Sequence, residues 1–199
     1  MLTEVTDWRV AQMTHIVRLT ALFVDKSSSM TQTIEVAKEI AALISAVCAD
    51  FRVLAFDSVA FEVEAQGVER STWKQAFKLV RANGSTSIGA PLAKLTRERR
   101  YVEQVVIIID MDGNTHPYLA ATYVEYAQTI GTGPQLIIVG VGGNSLRFLN
   151  TLHNADVPLP VWEFGGDYFS LPNLLPLLAL PSRAELVEQI MSVPLPVRS

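Results

Sequence analysis

The chain alternates between short, almost unbroken apolar runs and longer segments in which apolar residues recur at helical spacing. The first run, Ile16-Val17-Arg18-Leu19-Thr20-Ala21-Leu22-Phe23-Val24, is rich in β-branched residues and ends at Asp25 and a serine cluster. That pattern predicts a buried strand entering a polar loop. Ile34, Ala37, Ile40, Ala41, Ile44 and Val47 then fall on one helical stripe while Glu35, Lys38 and Glu39 face away, so a helix is expected as far as Asp50. Phe51–Phe56 reads as the next strand, and Phe61-Glu62-Val63-Glu64 alternates as an edge strand does. Helical segments over 72–80 and 89–99 flank a polar loop at 81–87. Val105-Val106-Ile107-Ile108-Ile109 is wholly apolar and β-branched, the pattern of a central parallel strand covered on both faces. A helix is expected from Pro117 to about Ile130, then strands over 136–141 and 161–164. Ser182 and Glu185 stand at capping-box spacing before a final helix that Pro194 and Pro196 end.

Strands alternating with helices predict the α/β class: a Rossmann-like, doubly wound, mostly parallel sheet with one antiparallel edge strand and helices on both faces. Residues 1–15 read as an N-terminal extension, 16–180 as the domain, and 181–199 as a helix and tail packed on it. In such sheets ligands bind beyond the carboxyl ends of the strands, and the polar motifs fall there.

Composition narrows the function. At 199 residues and 49% hydrophobic, the chain can bury a core without crosslinks. A net charge of -4 and a pI near 5.4 disfavour direct nucleic-acid binding. Arg97, Arg99 and Arg100 are interrupted by Glu98 and read as a solvated helix end. The single Cys48 has no internal disulfide partner and lies among Ala46, Val47 and Ala49, as a core residue does. The first residues show no basic segment followed by an apolar one, and no apolar run approaches the roughly 20 residues of a membrane span. A cytoplasmic protein is expected.

Asp25-Lys26-Ser27-Ser28-Ser29 places a carboxylate and two hydroxyls at alternate positions just after a strand. Oxygen ligands of this kind suit a hard cation, magnesium first, with manganese or calcium as alternatives. The same residues also suit a helix N-cap built on Ser29. Two further loops bear on that choice: Gly84-Ser85-Thr86-Ser87 offers a third hydroxyl, and Asp112-Gly113 a second carboxylate after the apolar strand.

In this order the three segments resemble the metal-ion-dependent adhesion site of von Willebrand factor A domains. The resemblance implies a site made of Asp25, Ser27, Ser29, Thr86 and Asp112. The hydroxyls would touch the ion directly or through water, and the aspartates often through water. It implies a protein-binding module without catalytic turnover, whose ion takes an Asp or Glu from a partner. The stretch Asp112-Gly113-Asn114-Thr115-His116-Pro117, with Glu125-Tyr126 and the strand from Pro134 to Gly140, is similar to the A domain of Ro-type (TROVE) ribonucleoproteins over roughly residues 17–165. Those proteins add a ring of helical repeats for RNA that this chain is too short to hold, so RNA binding is not carried over.

Other motifs compete. Asp110-Met111-Asp112-Gly113 also resembles the first motif of haloacid-dehalogenase-type phosphatases, where Asp110 would attack phosphate and Asp112 serve as acid and base. That motif normally opens its domain, and here it lies past the midpoint; Gly166-Asp167 lacks the later second carboxylate. Gly140-Val141-Gly142-Gly143-Asn144-Ser145 lacks the third glycine of a dinucleotide loop and reads as a turn. His15, His116 and His153 have no zinc spacing. Trp162, Phe164, Tyr168 and Phe169 are expected to pack C-terminal helices onto the sheet.

Overall fold

The computed structural model describes residues 16–28, 31–110, 115–142 and 159–192. Six strands form one sheet in the order β3-β2-β1-β4-β5-β6, where β1 is Thr20–Asp25, β2 Phe51–Phe56, β3 Ala60–Glu62, β4 Gln104–Ile109, β5 Gln135–Val141 and β6 Val161–Phe164. All neighbours run parallel except β2 and β3. This is the expected topology, with its antiparallel strand at the edge.

Both faces of the sheet must be covered because β1 and β4 are buried at every position. On one face, Leu22, Val24, Val106, Ile108, Ile137 and Val139 pack against helix α1 (Thr31–Val47) and helix α2 (Arg70–Ala76). On the other, Phe23, Leu54, Val105, Ile107, Ile109 and Ile138 pack against α3 (Ala90–Arg97) and α4 (Leu119–Ile130). The side-chain period of two along each strand sorts the residues between the two cores. The α1 stripe is buried as expected. Helix α4 stops at Gly131, whose φ of 96° lets its N–H close on the Ala127 carbonyl.

Several boundaries differ from the sequence expectation. The segment 72–80 divides into α2 and a 3-10 turn, Phe77–Leu79, which drives the Phe77 ring into the core beside Trp73. The first apolar run enters the ladder only at Thr20. Ile16 makes an isolated bridge to Cys48, and Arg18 turns aside. Its guanidinium donates to the Glu185 carboxylate, to the carbonyls of Leu178 and Leu180, and to the Gln104 and Gln135 side chains. One cation inside an apolar run thereby ties the starts of three strands to the C-terminal segment.

That segment holds a 3-10 stretch, Tyr168–Leu174, then α5 (Leu175–Leu178) and α6 (Arg183–Ser192). The capping box forms at the start of α6: Glu185 accepts from the Ser182 N–H at 2.5 Å, and the Ser182 hydroxyl accepts from the Glu185 N–H at 3.2 Å. The aromatic expectation is corrected in part. Phe164 is buried, whereas Tyr168 and Phe169 are 44% and 69% exposed just past β6. Leu171, Leu174, Leu175 and Leu178 are the residues of this segment buried in the core, and Tyr168 meets it only through an edge contact with Phe164. Among the described residues no helix is long and apolar enough to cross a membrane.

Candidate metal centre

Three adjacent parallel strands, β2, β1 and β4, each end at an aspartate: Asp57, Asp25 and Asp110. Asp25 stands level with Phe56, and Val24 with Ile108, so Asp57 and Asp110 each lie one residue further out than Asp25. With neighbouring strands about 4.8 Å apart, the parallel register brings the backbones of three aspartates to one sheet edge, with Asp25 offset from the other two by one residue.

The loops that follow are stitched together. The Lys26 N–H donates to the Phe56 carbonyl at 2.7 Å, and the Asn83 N–H to the Lys26 carbonyl at 2.8 Å. Ser28 donates to the Gly84 carbonyl from its N–H at 3.3 Å and from its hydroxyl at 3.1 Å. The Thr115 N–H reaches the Thr86 carbonyl at 3.0 Å, and the Ser87 hydroxyl the Pro117 carbonyl at 2.8 Å. Gly84 has a φ of 85°, and a Cβ there would lie 3.2 Å from the Asp57 side chain. A left-handed turn this close to a carboxylate calls for glycine. The loops that carry Asp25, Ser27 and Thr86 are therefore hydrogen-bonded into one cluster. Ser29 and Asp112 lie outside the described residues.

Asp25 is 0% exposed, Ser27 3% and Thr86 1%. The Ser27 N–H donates to Asp25 Oδ1 at 2.7 Å, closing the loop on the carboxylate. Among the described residues, the buried side-chain atoms without a hydrogen-bond partner are Asp25 Oδ2, Ser27 Oγ, Asp110 Oδ1, Arg52 Nε and Gln104 Nε2. The first three belong to this edge. Each buried unpaired polar atom costs on the order of 1–3 kcal/mol, more where it is charged.

Burial pushes the Asp25 carboxyl up to about 7, against its ordinary 3.8. The Ser27 N–H, and the Ser27 hydroxyl nearby but not aligned as a hydrogen bond, offset part of this, while the charges of Asp110 and Asp57 add to it. Asp57 differs. Burial works against its charge too, but the Lys26 ammonium, paired with Asp57 Oδ2, and the Val59 N–H hold its carboxyl below the usual range. Lys26 is in turn held 6.0 Å from the Phe61 ring centroid.

An oxygen-only, partly anionic cluster with orphaned buried oxygens fits a hard divalent cation, which supplies the positive charge that the protein lacks there. Among the described residues no three His, Cys, Asp or Glu side chains converge to hold an ion, so a shell here needs the hydroxyls. A cavity of about 460 Å³ lined by Phe51, Trp73, Arg52, Glu62 and Arg100 lies along β2 and the edge strand, away from this cluster. The sequence reading missed Asp57 and the Lys26 pair. A carboxylate directly after a second buried strand was the available signal, hidden because strand adjacency is not written in the sequence.

No protein-family model matches the sequence, and no curated protein is significantly similar to it. Solved structures are similar. The Ro (RSR) protein of Deinococcus radiodurans superposes with a TM-score of 0.64 and 19% identity over 85% of this chain and 36% of its own. A von Willebrand factor type A protein from Catenulispora acidiphila gives 0.58 and 21% over 82% of this chain and 42% of its own. BatB from Bacteroides thetaiotaomicron gives 0.54 and 16%, covering 87% and 98%. The chain thus spans less than half of the first two proteins. The sheet order, the single antiparallel edge strand and these superpositions together give one answer: this chain has the fold of a von Willebrand factor A domain.

Proposed function

We propose that the chain is a metal-dependent protein-binding module. Asp25, Ser27, Ser29, Thr86 and Asp112 hold a divalent cation, magnesium first, and an Asp or Glu of a partner protein completes its shell. The observation that carries this reading is the set of buried, unpartnered oxygens at one strand edge, Asp25 Oδ2 and Ser27 Oγ foremost. A cation satisfies both atoms and removes the cost of ionising Asp25. Serine and threonine ligands add no charge, so the ion keeps an attraction for an incoming carboxylate. Ser28, Gly84 and Ser85 are exposed above the buried ligands and form the approach. The reading includes a cytoplasmic setting, no direct nucleic-acid contact and no catalytic turnover. The phosphatase alternative has no support in the fold, where Asp110 follows the fourth strand and Asp25 ends the first.

Calorimetric titration of magnesium or manganese into wild type and Asp25→Ala tests the proposal. Binding is expected in wild type and lost in the variant; superimposable titrations end it.

A further inference from the structure

We propose that Asp110, a residue outside the five motif positions, supplies a carboxylate directly to the cation. The inference rests on the metal-binding reading above and sharpens it. The register brings Asp110 to the same sheet edge as Asp25: β1 and β4 pair from Thr20 with Gln104 to Val24 with Ile108, so Asp110 stands one residue beyond the level of Asp25, just past the end of the adjacent strand, where the strand alternation no longer sets its face. Its Oδ1 is buried and has no hydrogen-bond donor. Asp25, which is fully buried, presents its own unpartnered Oδ2 at the same edge, and Ser27 an unpartnered hydroxyl. A purely structural strand-end acid would accept a backbone N–H or meet a basic side chain. Asp57, at the corresponding position on β2, does both, through Val59 and Lys26. Asp110 Oδ1 is left with neither, and a cation is the partner that the three orphaned oxygens share.

This changes the chemistry of the centre. Asp110 joins Asp25 and Asp112, so three protein carboxylates outweigh the charge of a divalent ion. The ion then binds without a partner, and its pull on a partner's carboxylate is weaker than in the five-residue site alone.

Manganese is titrated calorimetrically into wild type, Asp110→Asn, Asp112→Asn and Asp25→Ala, with melting curves in chelator as the folding control. Outer-shell residues of metal sites typically cost about 10–100-fold in affinity. A direct ligand is therefore expected to cost more than about 100-fold in Asp110→Asn, and Asp112→Asn, whose carboxylate acts through water, about 10–100-fold. Asp110→Asn should melt in chelator close to wild type, because it keeps the size of a half-buried side chain. If it does not fold, Asp110→Ser takes its place with the same expected loss. A weakening below about 100-fold in a folded Asp110 variant overturns the inference. If Asp25→Ala also titrates like wild type, the metal-binding reading falls with it; if Asp25→Ala alone loses the ion, only the role of Asp110 falls.

Discussion

Replacing Asp25 by asparagine should stabilise the metal-free protein at neutral pH while removing its response to metal. The Asp25 carboxyl is 0% exposed, accepts one hydrogen bond on Oδ1 and none on Oδ2, and titrates near 7 in place of 3.8. The folded state thus keeps a proton that the unfolded chain releases at lower pH. Metal-free stability is therefore full below pH 3.8, falls as pH rises toward 7, and is flat above. A tenfold change in proton affinity is worth about 1.4 kcal/mol, so the difference between the two states corresponds to about 4 kcal/mol lost above pH 7. Asparagine carries no charge and keeps Oδ1 for the Ser27 N–H, but buries an unpaired amide N–H₂ at about 1–3 kcal/mol. The net expectation at pH 8 in chelator is a gain of about 1–3 kcal/mol, several degrees in Tm for a domain this size. The gain shrinks below pH 7 and has reversed by pH 4. Saturating magnesium inverts the order, since binding stabilises wild type alone. Urea unfolding of both proteins from pH 4 to 8, with chelator and with magnesium, measures every part of this. A variant less stable than wild type in chelator at pH 8, with the same pH slope, would refute the claim that Asp25 is an uncompensated buried charge.

Two predictions concern the scaffold away from the site. Tyr126 is fully buried, and its hydroxyl accepts from the Val102 N–H and donates to the Arg100 carbonyl. Tyr126→Phe should cost about 1–3 kcal/mol in urea unfolding, from the orphaned Val102 N–H, and leave metal titrations unchanged. At the opposite end of the sheet, burial opposes the charge of Glu185, but the Ser182 N–H and Arg18 hold its carboxyl below 4.5. Its contribution is present above that value and disappears as pH falls through the lower folded value. Wild type should therefore lose stability relative to Glu185→Gln on acidification from pH 6 to 3; parallel pH profiles of the urea midpoint would exclude the Arg18 clamp as a stabilising contact.

Hydrophobic periodicity alone determined the class of this protein and most of its elements. The short run at 105–109 reads as a strand covered on both sides because it is unbroken and wholly β-branched, and the α1 stripe as a helix with one buried face because its apolar residues follow the helical period. The capping box at Ser182 and Glu185 was legible for a similar reason, since its partners lie three residues apart. Tertiary structure decided whatever depends on which strands are neighbours. The sequence shows Asp25, Asp57 and Asp110 at separations of 32 and 53 residues, and only the order β2-β1-β4 with its parallel register makes them one electrostatic cluster. Arg18 reads as an exception within an apolar run until three strand starts and the C-terminal segment meet around it. The charge state of Asp25 was equally beyond the sequence. A pKa is set by the water excluded and the charges assembled around a group, and both are properties of the packed fold.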